Sequence, residues 1–190
     1  MAVEYELKYG ATEAALAAID TAFKEPPTVY KMQTTYYDTP SRVLSQRHIT
    51  LRRRMENDIS VCTLKAPAKL GRAEFELECD SIEKALPELC KLASIDPAIL
   101  SEGIVPVCGA RFTRLARTLT VPGAEVELAL DKGVLLGGGK ELPLCEVEVE
   151  LKAGEPSAAA AFGVQLAIAY GLQPEPKSKF VRANALAKGE

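Results

Sequence analysis

The stretch V-E-Y-E-L-K at residues 3–8 alternates apolar and charged side chains from the start of the chain. In a β-strand successive side chains point to opposite faces, so Glu4, Glu6 and Lys8 share one face and the three apolar residues share the other. A strand this charged on one face ordinarily turns that face to water. Repetition of the pattern along the chain argues against that interpretation here.

The same alternation recurs in A-E-F-E-L-E-C at 73–79, E-V-E-L-A-L-D at 125–131 and L-C-E-V-E-V-E-L at 144–151. Basic residues occupy other strand-like segments, with Arg52 and Arg54 in T-L-R-R-R at 50–54 and Lys65 in T-L-K at 63–65. If the charged faces point inward, the acids can hold cations while the bases hold an anion. The pattern therefore favours an interior site over a solvated surface.

Composition excludes several classes of protein. A chain of 190 residues with 47% hydrophobic and 26% charged residues is long enough for one domain with its own core, which we place at 1–190. A net charge of −3 argues against non-specific nucleic-acid binding. We find no signal peptide and no apolar run of membrane-spanning length. Five cysteines without C-x-x-C spacing predict reduced thiols, and hence a cytoplasmic protein without a membrane partner.

The periodicity predicts an α+β fold. Eight strands are expected, at 2–9, 29–37, 47–56, 59–66, 72–79, 111–120, 124–131 and 143–152. Helices are expected at 13–23 after Thr12, from Ser81 to 92, at 157–170 with Ser157 as the cap, and at 177–187, with a short helix or turn at 96–103. The strands should be mostly antiparallel, with polar inner faces and apolar outer faces, so helices must cover the outside.

Two other features are interpreted as turns. His48 is the only histidine and precedes the Arg52 strand, without a G-x-S-x-G motif to suggest a catalytic triad. The G-G-G-K run at 137–140 lacks the glycine spacing of a phosphate-binding loop and the Ser or Thr that should follow its lysine. The glycine-rich run therefore predicts a flexible loop between the two strands of a hairpin.

The charged blocks resemble the CYTH superfamily, also called triphosphate tunnel metalloenzymes. E-Y-E-L-K at 4–8 is similar to its E-x-E-x-K signature. Further blocks follow in order: Y-Y-D-T-P (36–40), T-L-R-R-R, T-L-K, R-A-E-F-E (72–76), the Arg114 region, E-L-A-L-D-K-G (127–133), E-V-E-V-E (146–150) and S-K-F-V-R (178–182). The resemblance implies a closed antiparallel eight-stranded β-barrel whose charged lumen, the triphosphate tunnel, binds triphosphates with divalent metal.

The resemblance also implies roles for individual residues. The carboxylates that would hold Mg²⁺ or Mn²⁺ are Glu4, Glu6, Asp131, Glu146 and Glu148. The residues that would bind the triphosphate are Lys8, Arg52, Arg54, Lys65, Glu76, Arg114, Lys179 and Arg182. The subset that would act directly in catalysis is Glu4, Glu6, Lys8, Glu148 and Lys179. Lys179 and Arg182 match a C-terminal helix that closes one end of the tunnel, whereas Arg72, Glu74 and Glu76 could contact substrate or buttress the cations. Arg53 should point outward by parity, and the ends of the strands, including Glu74 and Glu150, are expected to be solvated.

The predicted function is hydrolysis of tripolyphosphate to pyrophosphate and phosphate with Mg²⁺ or Mn²⁺. Three alternatives stay open: an adenylate cyclase acting on ATP, a thiamine triphosphatase, which the absence of tryptophan disfavours, and a catalytically weak polyphosphate-binding module. The expected partner is a small-molecule triphosphate. A homodimer also stays open, as does a CHAD domain if this sequence is a piece of a longer protein.

Overall fold

The structure is a computed structural model that describes residues 5–68 and 72–190. Nine strands form one antiparallel sheet in these ranges, in the order β5-β4-β3-β2-β6-β7-β8-β1-β9. Their bounds are β1 Glu6–Gly10, β2 Thr28–Asp38, β3 Thr50–Glu56, β4 Ile59–Pro67, β5 Arg72–Glu78, β6 Val105–Val121, β7 Ala124–Gly137, β8 Lys140–Gly154 and β9 Gln173–Pro174. The predicted α+β architecture with an antiparallel sheet is confirmed.

The strand prediction differs from the structure in length and number. The first eight strands match the predicted ones, but β6, β7 and β8 extend beyond their predicted bounds. Gly138 and Gly139 form the turn between β7 and β8, as the hairpin prediction required. A ninth strand, β9, adds two residues beside β1. Within the described ranges β5 and β9 each have a hydrogen-bonded neighbour on one side only, so the sheet has two edges there and closure into a barrel stays a prediction.

The strand register places the charged side chains on one face of the sheet, which we call the charged face. On one half Lys8 lies opposite Glu148, and Asp131 lies between Glu146 and Arg114 on its neighbouring strands. On the other half Lys65 lies opposite Glu74, and Thr63 lies between Arg52 and Glu76. Because antiparallel partners project to the same side, these two halves belong to one continuous surface.

Helices cover the opposite, apolar face. Helices α1 (Glu13–Ala22) and α4 (Pro156–Tyr170) pack against β1, β7 and β8, in a core that includes Ile19, Leu128 and Val149. Helices α2 (Val43–Gln46) and α3 (Ile82–Leu92) contribute to a second core over β3, β4 and β5. A 3₁₀ turn at Pro97–Leu100 follows α3. The expectation that helices cover the apolar faces is confirmed.

The helix starts were only partly predicted. Thr12 and Ser81 accept capping hydrogen bonds, as expected. Ser157 is not a cap: α4 begins at Pro156, the first-turn position that proline favours, with Glu155 as N-cap. Helix α2 was not predicted, because it depends on the buried Asp38 carboxylate, which accepts hydrogen bonds from backbone N–H groups within it. The four-residue pattern D-T-P-S carried only a turn signal.

Helix α5 (Lys179–Lys188) lies on the charged face, against β6, β7 and β8. Ser178 caps it, and the helix begins at Lys179, two residues later than the predicted start. Ala183 is fully buried in a cluster with Leu135 and Leu144. Gly137 permits this approach, since a Cβ there would lie 2.4 Å from the Ala183 carbonyl oxygen. Because α5 packs closely against the sheet through Gly137 and Ala183, its first turn lies at the centre of the charged face.

The described residues contain neither a disulfide bond nor a helix long and apolar enough to cross a membrane. All five cysteines are free thiols, as the odd count and spacing predicted. In residues 5–68 and 72–190 every helix is too short or too polar to cross a bilayer.

Candidate functional site

Three carboxylates meet at the centre of the charged face and form what we call the carboxylate cluster. Asp131 comes from β7, and Glu146 and Glu148 come from β8. One oxygen atom of each lies within 4.8 Å of the others. Asp131 and Glu146 are 0% exposed, which demands compensation for their charge. An all-oxygen donor set in this spacing fits a hard divalent cation such as Mg²⁺ or Mn²⁺.

Lys179, the first residue of α5, is bonded to all three carboxylates. Its Nζ lies 2.9 Å from Asp131 Oδ2 and 2.6 Å from Glu148 Oε1, and it also donates to Glu146 Oε1. The spacing of residues in the sequence does not predict this contact, because helix α4 and strand β9 lie between β8 and α5. The last helix is therefore tied to the cluster by ionic hydrogen bonds as well as by packing.

Two arginines complete the ion network. Arg114 makes a bidentate pair with Asp131, with Nε and Nη2 each 2.7 Å from a carboxylate oxygen, and also donates to Glu148 Oε2. Arg182 donates to Glu146 Oε2 and lies 3.6 Å from Glu175. The three acids thus face three bases.

The electrostatics of the cluster follow from burial and these pairs. Burial raises the pKa of Glu146. Burial would raise the pKa of Glu148 too, but the charges of Lys179 and Arg114 outweigh it and lower that pKa well below its usual range. The pKa of Lys179 is raised, because attraction to the carboxylates exceeds the opposing effect of burial. Glu148 and Lys179 are accordingly charged at neutral pH.

A second group of charges lies on β3 and on the adjacent strands β4 and β5. We call its basic residues, Arg52 and Arg54 on β3 and Lys65 on β4, the arginine strand. Arg52 is 3.4 Å from Glu74 and 3.7 Å from Glu76, and Lys65 Nζ is 2.8 Å from Glu74 Oε2. Arg54 pairs with Glu56. Thr63 Oγ1 donates to Glu76 Oε1 over 2.9 Å, which holds that acid beside the arginines.

The arginine strand carries hydrogen-bond donors suited to an anion. The Nε atoms of Arg52 and Arg54 are buried and have no hydrogen-bond partner among the described residues. The pKa of Arg54 is lowered, first by burial and then by the charge of Arg52. An anion would supply the missing acceptors and relieve the repulsion between the two guanidinium groups.

The structure describes most of the predicted site residues and brings many of them together. The residues it brings together in and around the carboxylate cluster are Asp131, Glu146, Glu148, Arg114, Lys179 and Arg182. Lys8 lies opposite Glu148 on the neighbouring strand. Glu6 is exposed, lies opposite Glu150 and is not one of the three clustered acids, and Glu4 lies outside the described residues. The roles predicted for these residues stay predictions.

Other contacts were missed or placed differently. Glu74 is exposed, as expected of a strand end, but its pairing with Arg52 and Lys65 was not predicted. The strand register across the β4–β5 hairpin could have revealed this. Phe112, two residues before Arg114 on the same strand face, was also missed: its ring centre lies 5.3 Å from Lys179 Nζ and 5.8 Å from Arg114 Cζ. Such cation–π contacts help to fix both cations.

Two residues interpreted as lying outside the site do so. His48 is exposed in a left-handed turn at φ 57°. Arg53 projects to the apolar face, where its Nε donates to Ser60 Oγ over 2.8 Å.

Comparison with known proteins identifies the family of this chain. A sequence model of the CYTH domain matches residues 2–183. The chain belongs to the CYTH domain family. Its similarity to an inorganic triphosphatase of Haemophilus influenzae is 32% identity over 127 residues, covering 63% of this chain. The match spans only 36% of that relative, which is a much longer protein.

Solved structures of other proteins share the fold. An adenylyl cyclase candidate from Hippeastrum, described as having a dominant triphosphatase activity, superposes with a TM-score of 0.70 at 19% identity, covering 99% of this chain and 97% of the other. The Pyrococcus horikoshii protein PH1819 superposes with a TM-score of 0.65 at 21% identity, covering 99% and 100%. At these identities the likeness establishes the architecture alone.

Proposed function

We propose that this CYTH domain is a divalent-metal-dependent inorganic triphosphatase that hydrolyses tripolyphosphate to pyrophosphate and phosphate. One observation carries the proposal: a carboxylate cluster suited to a divalent cation and an arginine strand suited to an anion lie on the same face of one sheet. Similarity to the Haemophilus influenzae inorganic triphosphatase supports the choice of reaction.

In this proposal the arginine strand binds the polyphosphate chain. Arg52 and Arg54 present planar guanidinium groups that match phosphate oxygens, and Lys65 adds a point charge. Glu74 and Glu76 now pair with Arg52, and Glu74 also with Lys65, so they hold these cations in place before substrate arrives. Lys8 and Arg114, nearer the carboxylate cluster, would contact the end of the substrate that reacts.

Asp131, Glu146 and Glu148 would hold Mg²⁺ or Mn²⁺, joined in the proposal by Glu4 and Glu6. When bound, such a cation neutralises charge on the reacting phosphoryl group and lowers the pKa of a bound water. The chain itself orients the substrate and, by surrounding it with fixed charges, stabilises charge that develops in the transition state. The described residues around the carboxylate cluster include no histidine or cysteine, so in this proposal activation of the attacking water would rest on the bound cation, assisted by a glutamate.

Helix α5 supports the choice of an inorganic substrate. We propose that the sheet curls into a barrel and that α5 closes one end of its lumen, where Phe180 packs on Tyr36 with ring centres 5.1 Å apart. Tyr36 lies opposite Arg52 on the neighbouring strand, so this aromatic pair stands beside the anion site. The pair would occupy space that a nucleoside attached to the triphosphate would need.

The test is product analysis with purified protein. Tripolyphosphate and ATP are incubated separately with Mg²⁺ or Mn²⁺, and the products are separated by ion chromatography. Equal amounts of pyrophosphate and phosphate from tripolyphosphate, lost on chelation, support the proposal. Cyclic AMP from ATP would identify a cyclase, and tight binding without turnover would identify a binding module.

A further inference from the structure

The carboxylate cluster is occupied by a cation of the protein itself. Lys179 Nζ contacts Asp131 Oδ2, Glu146 Oε1 and Glu148 Oε1, one oxygen from each acid. The arginines approach from the sides, Arg182 through Glu146 Oε2, and Arg114 through Glu148 Oε2 and both oxygens of Asp131. Lys179 alone contacts all three acids.

A divalent cation bound by all three acids would occupy the position that the Lys179 ammonium now holds. Mg²⁺ binds carboxylate oxygens at about 2.0–2.1 Å, so a metal bonded to the oxygens that face Lys179 would lie within a few ångströms of its ammonium. Two cations at that separation in a buried site repel strongly. The lysine and the metal therefore exclude each other.

We propose that Lys179 is a displaceable internal counter-ion that occupies the cluster before metal binds and is released toward the phosphates when metal enters. This inference rests on the proposed metal site and adds an exchange to it. No covalent bond changes: the ammonium leaves three carboxylate oxygens and the metal takes them. Lys179 is suited to leave, since it is the first residue of α5, where only Ser178 separates it from the extended segment before the helix.

The exchange explains how the acids can be buried without metal. Asp131 and Glu146 are 0% exposed, and Arg114 and Arg182 alone would leave the three acids with an excess negative charge that opposes folding. Lys179 supplies the missing charge in the metal-free protein. Its ammonium then becomes available for substrate only after the metal is in place, which orders the two binding events.

The experiment measures Mn²⁺ affinity without substrate, by isothermal titration calorimetry, on the wild type and Lys179→Met. Removing the competing ammonium should tighten Mn²⁺ binding by about tenfold or more, equivalent to about 1.4 kcal/mol. Lys177→Met is the matched control, because it removes the same charge from an exposed position two residues away and should leave the affinity within about twofold of wild type. Lys179→Gln, which keeps a neutral hydrogen-bond donor, serves if the methionine variant does not fold.

The outcomes separate this inference from the proposed metal site. Equal or weaker Mn²⁺ binding by both Lys179 variants, with binding lost in Glu148→Gln, would overturn the exchange and leave the metal site standing. No Mn²⁺ binding by any of the proteins would overturn both. A crystal structure of the Mn²⁺-bound wild type gives a second readout: Lys179 Nζ should lie beyond 4 Å from the three carboxylates, as a rough limit for ion pairing, and retention of its present contacts beside bound metal would contradict the exchange.

Discussion

Lys179 Nζ and Glu148 Oε1 lie 2.6 Å apart, joining the first turn of the last helix to the middle of strand β8. The pair is nearly buried, with side-chain exposures of 11% and 12%. It links the position of α5 to the charge of the carboxylate cluster, so stability, metal binding and catalysis should respond together when either residue changes.

Lys179→Met should destabilise the metal-free domain, because it leaves three clustered acids with only two arginines. Breaking a buried pair in this way costs about 3–5 kcal/mol, and we expect the lower end since Arg114 and Arg182 remain. Urea unfolding in chelator would measure the loss, with Lys177→Met as the control. Equal stability of Lys179→Met and wild type would show that the lysine does not compensate the acids.

Arg52→Gln and Arg54→Gln should each weaken tripolyphosphate binding. Loss of a hydrogen bond to a charged group costs about 1.5–3 kcal/mol, which corresponds to a rise of roughly 10- to 150-fold in Kd. Arg53→Gln is the matched control, because Arg53 lies between them on the same strand but projects to the apolar face. Affinity can be measured by calorimetry with Ca²⁺ in place of Mg²⁺ to suppress turnover. An effect of Arg53→Gln equal to the other two would contradict the assignment of the charged face.

Gly137→Ala should loosen α5 and thereby lower activity. The new Cβ would lie 2.4 Å from Ala183 O and 2.7 Å from Ala187 N, so the helix must shift by several tenths of an ångström or more. Gly10→Ala is the control, since the nearest atom to its Cβ would be 3.8 Å away. Hydrogen exchange of α5 amides and steady-state turnover should both change in the first variant and neither in the second. Unchanged exchange at α5 would show that the contact is not needed for docking.

Acid should remove the stability that Glu148 contributes. Its pKa is lower in the folded protein than the value of about 4.3 in an unfolded chain, so its contribution is present above that value and is lost as the pH falls toward the folded pKa. The difference in unfolding free energy between wild type and Glu148→Gln, measured in chelator, should therefore shrink below about pH 4.3. Glu141→Gln removes only an exposed pair with Arg111 and should differ little from wild type throughout. A gap for Glu148→Gln that widens with acid would reverse the sign of the argument.

The sequence predicted the parts of the fold that depend on local periodicity. Alternation of charged and apolar residues located most of the strands and predicted which face carries Arg52, Arg54 and Asp131, because side-chain direction has a period of two. Helix α2 was not predicted because it is stabilised by the Asp38 side chain rather than by an apolar stripe. Strand β9 is two residues long and gives no periodic signal.

The contacts of Lys179 show where sequence reasoning ends. The residue was placed on a closing helix by resemblance, as a phosphate ligand. Its bonds to Asp131, Glu146 and Glu148 depend on how α5 crosses three strands, a tertiary relationship set by the small residues Gly137 and Ala183. Such long-range ion networks cannot be read from spacing.

The measurement that tests the account most directly is turnover of tripolyphosphate by wild type and Glu148→Gln, with products resolved by ion chromatography. The account predicts that wild type with Mg²⁺ or Mn²⁺ forms equal amounts of pyrophosphate and phosphate, and that it forms neither product in chelator. For Glu148→Gln with metal it predicts a fall of roughly a hundredfold or more in kcat, with a much smaller change in the affinity for tripolyphosphate. Full activity of wild type in chelated buffer, or of Glu148→Gln with metal, would contradict it.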